Sequence, residues 1–221
     1  MPELPEVETV KESLKLRLNN KKIIKARVLW DNIIAYPSKE KFIKETANQS
    51  INDVKRRGKF LLFDLDDYYL LSHLRMEGKY FFKTKDDDIN KHEHVIFDLD
   101  DGSELRYMDT RKFGKMYLIK KEDIEKIGPL VELGLEPWDN KLTSKYLLDK
   151  FKNKRLPIKT VLLDQSIIVG IGNIYADEIL FLCKINPLKK CNLITEEEAN
   201  NIIKYTRSVL EVAIKMGGTT I

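Results

Sequence analysis

The spacing of apolar residues changes period once along this chain, and that single change limits the folds open to it. From Ile23 to Lys120 the apolar residues come in short runs: IIKARVLW, FLLFDL, YYLLSHL, GKYFF, HVIFDL, ELRYMD and GKMYLI. Many short strands separated by turn residues argue for a sandwich or barrel, and Asp100-Asp101-Gly102 between two of them is a hairpin signal. Residues 128–140 are turn-rich, with Pro129, Gly134 and Pro137, which suits a linker. Beyond it the spacing is helical. LTSKYLLDKF offers Thr143 or Ser144 as N-cap; ITEEEANNIIKYTRSVLEVAIKMGG has Thr195 as N-cap, Glu198 at the capping-box position and Gly217–Gly218 as its stop. A helix also leads the chain, with Val7, Val10, Leu14 and Leu18 at three- and four-residue steps. The pattern predicts an α+β multidomain protein. An N-terminal β-sandwich with its leading helix spans 1–130, and an all-α domain spans 131–221.

With 221 residues, two domains suit the length better than one. An apolar share of 43% and a charged share of 33% describe a soluble globular chain. No run approaches the ~20 apolar residues of a bilayer span, and no signal-type apolar region follows Met1, so a cytosolic, non-membrane protein is expected. Cys183 and Cys191 match no zinc or redox spacing, and Cys183, within ILFLC, reads as core. The net charge of +4 barely favours a polyanionic partner. Clustering says more: Lys55, Arg56, Arg57 and Lys59; Arg106, Arg111, Lys112 and Lys115; Lys150, Lys152, Lys154, Arg155 and Lys159. Three such groups suggest a phosphate-backbone footprint, although a solvated face explains any one of them.

The chemistry concentrates at the N-terminus. Removal of Met1 would leave Pro2 as a secondary amine that no other residue type supplies. An α-amino group titrates near ~8 against ~10.4 for lysine, so about 10% is unprotonated at pH 7, against about 0.04% of a lysine. Such an amine attacks carbonyl or acetal carbon through an imine, with Glu3 and Glu6 near to manage protons. Pro2, Pro5, Glu6 and Glu8 equally suit the first turn of a helix. VGIGNIYADEIL, residues 169–180, is a glycine-rich turn entering a helix, but Tyr175 stands where a dinucleotide loop has its third glycine. Its backbone N–H groups could hold a phosphate oxygen, or it is a plain tight turn. HLRMEGKY and DTRKFGK place Met76 and Phe113 beside Arg75 and Arg111 in turns. Taken singly, such residues and His73 read as core; as exposed groups they would be wedges entering a duplex beside base-reading arginines.

The order PELPEVE, RRGKFL, HLRMEG, DTRKFG and GIGNIYADE resembles a formamidopyrimidine-DNA glycosylase, from Pro2 to Thr220. The related endonuclease VIII branch shares the leading Pro-Glu but usually differs at the Met and Arg-x-Phe positions. The resemblance implies a two-layered β-sandwich and a domain with a helix–two-turn–helix motif, with double-stranded DNA in a basic cleft between them. It implies a bifunctional glycosylase and AP lyase that removes 8-oxoguanine and formamidopyrimidines in base-excision repair, as a monomer in the bacterial cytoplasm at the nucleoid. By similarity Pro2 attacks the sugar C1′, and Glu3 protonates the leaving base or ring oxygen and later assists β,δ-elimination. Lys59, His73, Asn173 and Tyr175 correspond to phosphate-gripping positions, Lys59 being grouped with the catalytic residues. Met76, Arg111 and Phe113 correspond to residues that fill the gap left by the extruded nucleotide, with Arg111 facing the orphaned cytosine. Glu6 and Lys159 match further active-site positions.

One departure concerns the end of the chain. Complete family members continue past GGTT into a lesion-recognition loop and a four-cysteine zinc finger, whereas this chain stops at Ile221 and lacks that ligand set. No zinc is therefore expected in this chain, and DNA binding is expected to be much weaker than in a complete member. Alternatives are a catalytically impaired lesion-binding fragment, and a small tautomerase using an N-terminal proline as base.

Overall fold

The computed structural model describes residues 2–218. Met1, whose removal the amine chemistry needs, and the terminal residues 219–221 lie outside the described residues. The chain divides into two units. One comprises Pro2 and Val10–Val131; the other comprises Glu3–Thr9 and 132–218. The leading helix α1 (Leu4–Leu18) thus gives its first turns to the helical unit, and Val7, Leu14 and Leu18 are its buried stripe.

The first unit holds β1 (Ile23–Val28), β2 (Ile34–Tyr36), α2 (Lys39–Thr46), β3 (Asp53–Arg57), β4 (Phe60–Asp64), β5 (Tyr68–His73), β6 (Lys79–Lys83), β7 (Glu93–Leu99), β8 (Glu104–Met108) and β9 (Lys115–Lys120). They form a four-stranded sheet, β1-β7-β8-β6, and a five-stranded sheet, β2-β9-β5-β4-β3. All neighbours are antiparallel except the short β2–β9 pair. Central β7 and β5 are almost wholly buried, whereas edge strands β3 and β6 carry the polar side chains an edge tolerates. The runs read as strands from their apolar content are strands. Three elements carried no such signal: β2 is three residues long, β3 reads DVKRR, and α2 buries only Phe42 and Thr46.

Arg106, grouped above with exposed basic residues, is buried on β8. Its guanidinium donates to Glu104 at 2.8 Å, to Glu93 at 3.0 Å, and to the carbonyls of Thr84, Asp87 and Asp88 at 2.9–3.0 Å. With its donors committed to Glu104, Glu93 and the β6–β7 loop, it is a structural cation and not part of a phosphate footprint.

The helical unit contains α3 (Ser144–Phe151), α4 (Ile158–Leu162), α5 (Asn173–Cys183) and α6 (Glu196–Lys215). Thr143 caps α3 by accepting from Tyr146 N–H, and Thr195 with Glu198 forms the capping box of α6. Between α5 and α6 the chain turns at Lys184, which has φ +56°, and again at Asn186–Lys189, giving helix, two turns, helix. Leu4, Leu147, Phe151, Ile171, Ile179, Ile202 and Leu210 are in its core, with Cys183 half-buried against it and Cys191 fully enclosed. Among the described residues, no helix is long and apolar enough to cross a membrane.

Candidate active site

The glycine-rich segment does build an anion-holding helix terminus, but the anion is a side chain of this chain. Gly172 is the N-cap of α5. The Glu3 carboxylate accepts from Gly172 N–H at 2.6 Å, from Ile174 N–H at 2.9 Å and, more loosely, from Tyr175 N–H at 3.4 Å. The first N–H groups of a helix lack intrahelical partners and sit at its positive end, so a buried carboxylate is well placed there. Close approach requires glycine: a Cβ at Gly172 would overlap the Glu3 carboxyl carbon. The main chain is held as well. Glu3 N–H donates to Glu6 Oε2 at 2.9 Å, and Tyr175 O–H donates to Glu6 Oε1 at 2.7 Å. Two carboxylates therefore fix the peptide that follows half-buried Pro2, one through its side chain and one through its backbone N–H.

The N–H groups of Gly172, Ile174 and Tyr175 face the Glu3 carboxylate. Tyr175, expected among the phosphate contacts, is 2% exposed and commits its hydroxyl to Glu6. Asn173, the first residue of α5, remains exposed at the same terminus. Lys159, on α4, pairs with Asp177 of α5 at 2.7 Å.

In the sheet unit, Lys59 lies in the two-residue Gly58–Lys59 turn joining β3 to β4 and is largely buried. The next residue, Phe60, pairs across the ladder with His73, their rings meeting edge-on at 4.6 Å. His73 is also buried, and its Nδ1 accepts Arg75 N–H at 3.0 Å. That bond places the ring proton on Nε2, leaving one neutral donor. Burial, with the charges of Arg75 and Lys59 acting the same way, pushes its pKa down to about 3.

Beyond His73 the chain turns through Arg75, which has φ +54°, and leaves Met76 39% exposed. The turn after β8 does the same with Phe113, which is 48% exposed under the Arg111 guanidinium at 4.8 Å. Both apolar groups are thus presented outward, as the wedge reading requires, and neither is core. Asp109 was not singled out from the sequence, yet its buried carboxylate accepts from the N–H groups of Arg111, Phe113 and Gly114 at 2.8–3.0 Å. An Asp opening a turn-rich DTRKFG was the available signal, since aspartate commonly accepts from backbone N–H two residues on.

Among the described residues, no three His, Cys, Asp or Glu side chains converge on a point that could hold a metal ion. Cys191 Sγ is turned onto the carbonyls of Phe151 and Lys154 at 3.7 and 3.0 Å.

Two family models match this chain. Formamidopyrimidine-DNA glycosylase N-terminal domain covers residues 1–116, and formamidopyrimidine-DNA glycosylase H2TH domain covers residues 133–221. The chain is 48% identical over 224 residues to the formamidopyrimidine-DNA glycosylase of Oceanobacillus iheyensis, spanning 100% of this chain and 79% of that protein. Identity to the Cytobacillus firmus enzyme of the same name is 46% over 222 residues, covering 100% and 81%. Among solved structures it is similar to a Lactococcus lactis FPG mutant in complex with Fapy-dG-containing DNA, with TM-score 0.93 and 37% identity over 100% and 81% of the two chains. It is similarly close to Lactococcus lactis Fpg in complex with abasic-site DNA, with TM-score 0.92 and 37% identity over 99% and 80%.

Proposed function

This chain belongs to the formamidopyrimidine-DNA glycosylase family, and we propose that Pro2 and Glu3 carry its reaction on oxidised purines. It is a base-excision DNA glycosylase with AP lyase activity, and its partner is duplex DNA containing lesions or abasic sites. The comparisons lend no support to an impaired binding fragment. Once free of Met1, the Pro2 nitrogen attacks C1′ of the damaged nucleotide. The C1′–N bond to the protein forms as the glycosidic bond breaks, and the base leaves with a proton. Ring opening gives an iminium ion, which acidifies the C2′ hydrogens. Loss of one expels the 3′ phosphate, and a second elimination expels the 5′ phosphate.

One observation carries this reading. Glu3 is locked to the α5 terminus at 2.6 and 2.9 Å while its own N–H is locked to Glu6 at 2.9 Å. A proton-transferring carboxyl group and the nucleophile's peptide are thus preorganised by adjacent residues, so little reorganisation is left for the moment of reaction. Lys59, the neutral Nε2–H of His73, and exposed Asn173 would hold phosphates. Met76 and Phe113 would replace the stacking lost when the nucleotide is extruded, and Arg111 would face the orphaned cytosine. Lesions of the 8-oxoguanine and formamidopyrimidine type, opposite cytosine, are the substrates proposed. The protein is read as a monomer working in the bacterial cytoplasm at the nucleoid, and its chemistry is assigned to amine and carboxylates without a metal.

Borohydride trapping on an 8-oxoguanine:cytosine duplex tests the assignment. The unaltered protein should become covalently attached, whereas Pro2→Gly should fold, with an unchanged circular dichroism spectrum, and excise sharply less. Undiminished excision by Pro2→Gly would remove Pro2 from the nucleophile's role.

A further inference from the structure

The two turns that present the exposed apolar side chains cross between the sheets at the same end of the sandwich. Residues 74–78 lead from β5 to β6, and residues 109–114 lead from β8 to β9. β5 and β9 are neighbours in one sheet, with His73 opposite Lys115; β6 and β8 are neighbours in the other, with Lys79 opposite Met108. The crossings therefore run side by side.

One buried ring lies under both. Tyr107, fully enclosed on β8, sets its hydroxyl against the backbone of Gly78 in one turn and Gly114 in the other; a Cβ at either glycine would overlap it. The ring packs edge-on against Tyr80 at 5.2 Å, whose hydroxyl reaches Ser72 on β5 at 2.7 Å. The same Tyr107 hydroxyl stands 3.5 Å from Asp109 Oδ2. Asp109 then sets the second turn: Oδ1 takes Arg111 N–H, and Oδ2 takes Phe113 and Gly114 N–H. The turn passes through Lys112 at φ +59°, a conformation a lysine rarely adopts without such support.

We infer that Asp109 and Tyr107 are positioning residues that hold the two turns as one rigid rim, so that Met76, Arg111 and Phe113 enter the duplex together. The inference rests on the proposed function, because it takes the wedge roles of those three residues as given. The physical reason is entropic. A turn ordered only on binding would spend conformational entropy when base steps must also be unstacked. A turn ordered beforehand does not.

Two variants test it. Asp109→Asn keeps the shape but turns one acceptor into a donor, which must face either Arg111 N–H or the N–H groups of Phe113 and Gly114. Tyr107→Phe keeps the ring and removes the hydroxyl. Excision of 8-oxoguanine is measured opposite cytosine and opposite adenine. Borohydride trapping is measured on a single-stranded oligonucleotide with a preformed abasic site, where no stack is opened and no opposite base exists. Asp109→Asn should lower kcat/KM on the cytosine-opposed duplex by about tenfold or more and Tyr107→Phe by about threefold, as expected for losing short hydrogen bonds to a carboxylate and one long hydrogen bond respectively. The preference for cytosine should narrow in both, while single-strand trapping stays within about twofold. Equal losses on every substrate, or an unchanged preference, would overturn the inference. If Asp109→Asn fails to fold, a folded Tyr107→Phe with unchanged preference overturns it equally. Failure of the unaltered protein to trap at all would overturn the proposed function, and this inference with it.

Discussion

Gly172→Ala separates the anchoring of Glu3 from every other feature of the site. Gly172 occupies extended backbone, φ −124° and ψ −163°, which alanine adopts freely, so the substitution strains nothing in the main chain. Its Cβ, however, would lie 2.5 Å from Glu3 Oε1 and 2.7 Å from Cγ, distances that no carbon keeps. The carboxylate must move, and its bonds from Gly172 and Ile174 N–H go with it. Hydrogen bonds to charged groups contribute about 1.5–3 kcal/mol each, so losing two costs about 3–6 kcal/mol. That cost falls on the resting protein, and only the part that displaces Glu3 from its acid–base position slows the reaction. The rate loss is bounded by what a well-placed general acid or base supplies, about 10²–10⁴. Single-turnover excision of 8-oxoguanine opposite cytosine should fall, by up to that factor, with thermal unfolding measured alongside to confirm a folded variant. In a Glu3→Gln background the same alanine should change the rate by less than about threefold, because the interaction it disrupts is already impaired. Excision by Gly172→Ala near the unaltered rate, or a full additional loss in the Glu3→Gln background, would refute the claim that Glu3 acts from the helix terminus.

Replacing Arg111 by Ala should weaken the preference for lesions opposite cytosine, read as the ratio of excision rates against the four opposite bases; an equal loss against all four would mark the arginine as merely structural. The His73 pair of states makes stability pH-dependent. The folded imidazole takes a proton only near about 3, whereas in the unfolded chain it does so near ~6.5. Its contribution is therefore complete above about pH 6.5 and is lost progressively as the pH falls towards about 3. Urea midpoints measured from pH 7 to pH 4 should fall less steeply in His73→Gln than in the unaltered protein, and parallel curves would contradict the assignment.

What could be read from the sequence was local. Thr195 and Glu198 cap α6 within one turn, and Thr143 caps α3 the same way, so spacing alone located them. The β-runs were legible because their burial is one-dimensional, apolar residues clustering along each strand. Edge strand β3 was hidden because Lys55, Arg56 and Arg57 read as a basic patch, although charged residues are what an edge strand carries. The site contacts that the sequence did not show share a different cause. Glu3 meets Gly172 across 169 positions, and Tyr175 meets Glu6 across the same interval. No pattern within a window shows that a helix terminus will be filled by a carboxylate from the other end of the chain. Arg106 failed for a similar reason, since Glu93 and the 84–88 carbonyls that surround it lie 13 to 22 positions away.

The mechanism stands or falls with the imino nitrogen of Pro2 as nucleophile. Borohydride reduction of the complex with an 8-oxoguanine:cytosine duplex, followed by proteolysis and mass spectrometry of the DNA-linked peptide, locates the bond itself. One adduct is expected, on a peptide beginning at Pro2 with Met1 removed. An adduct on Lys59 or any other lysine, or active protein that still carries Met1, would contradict that assignment.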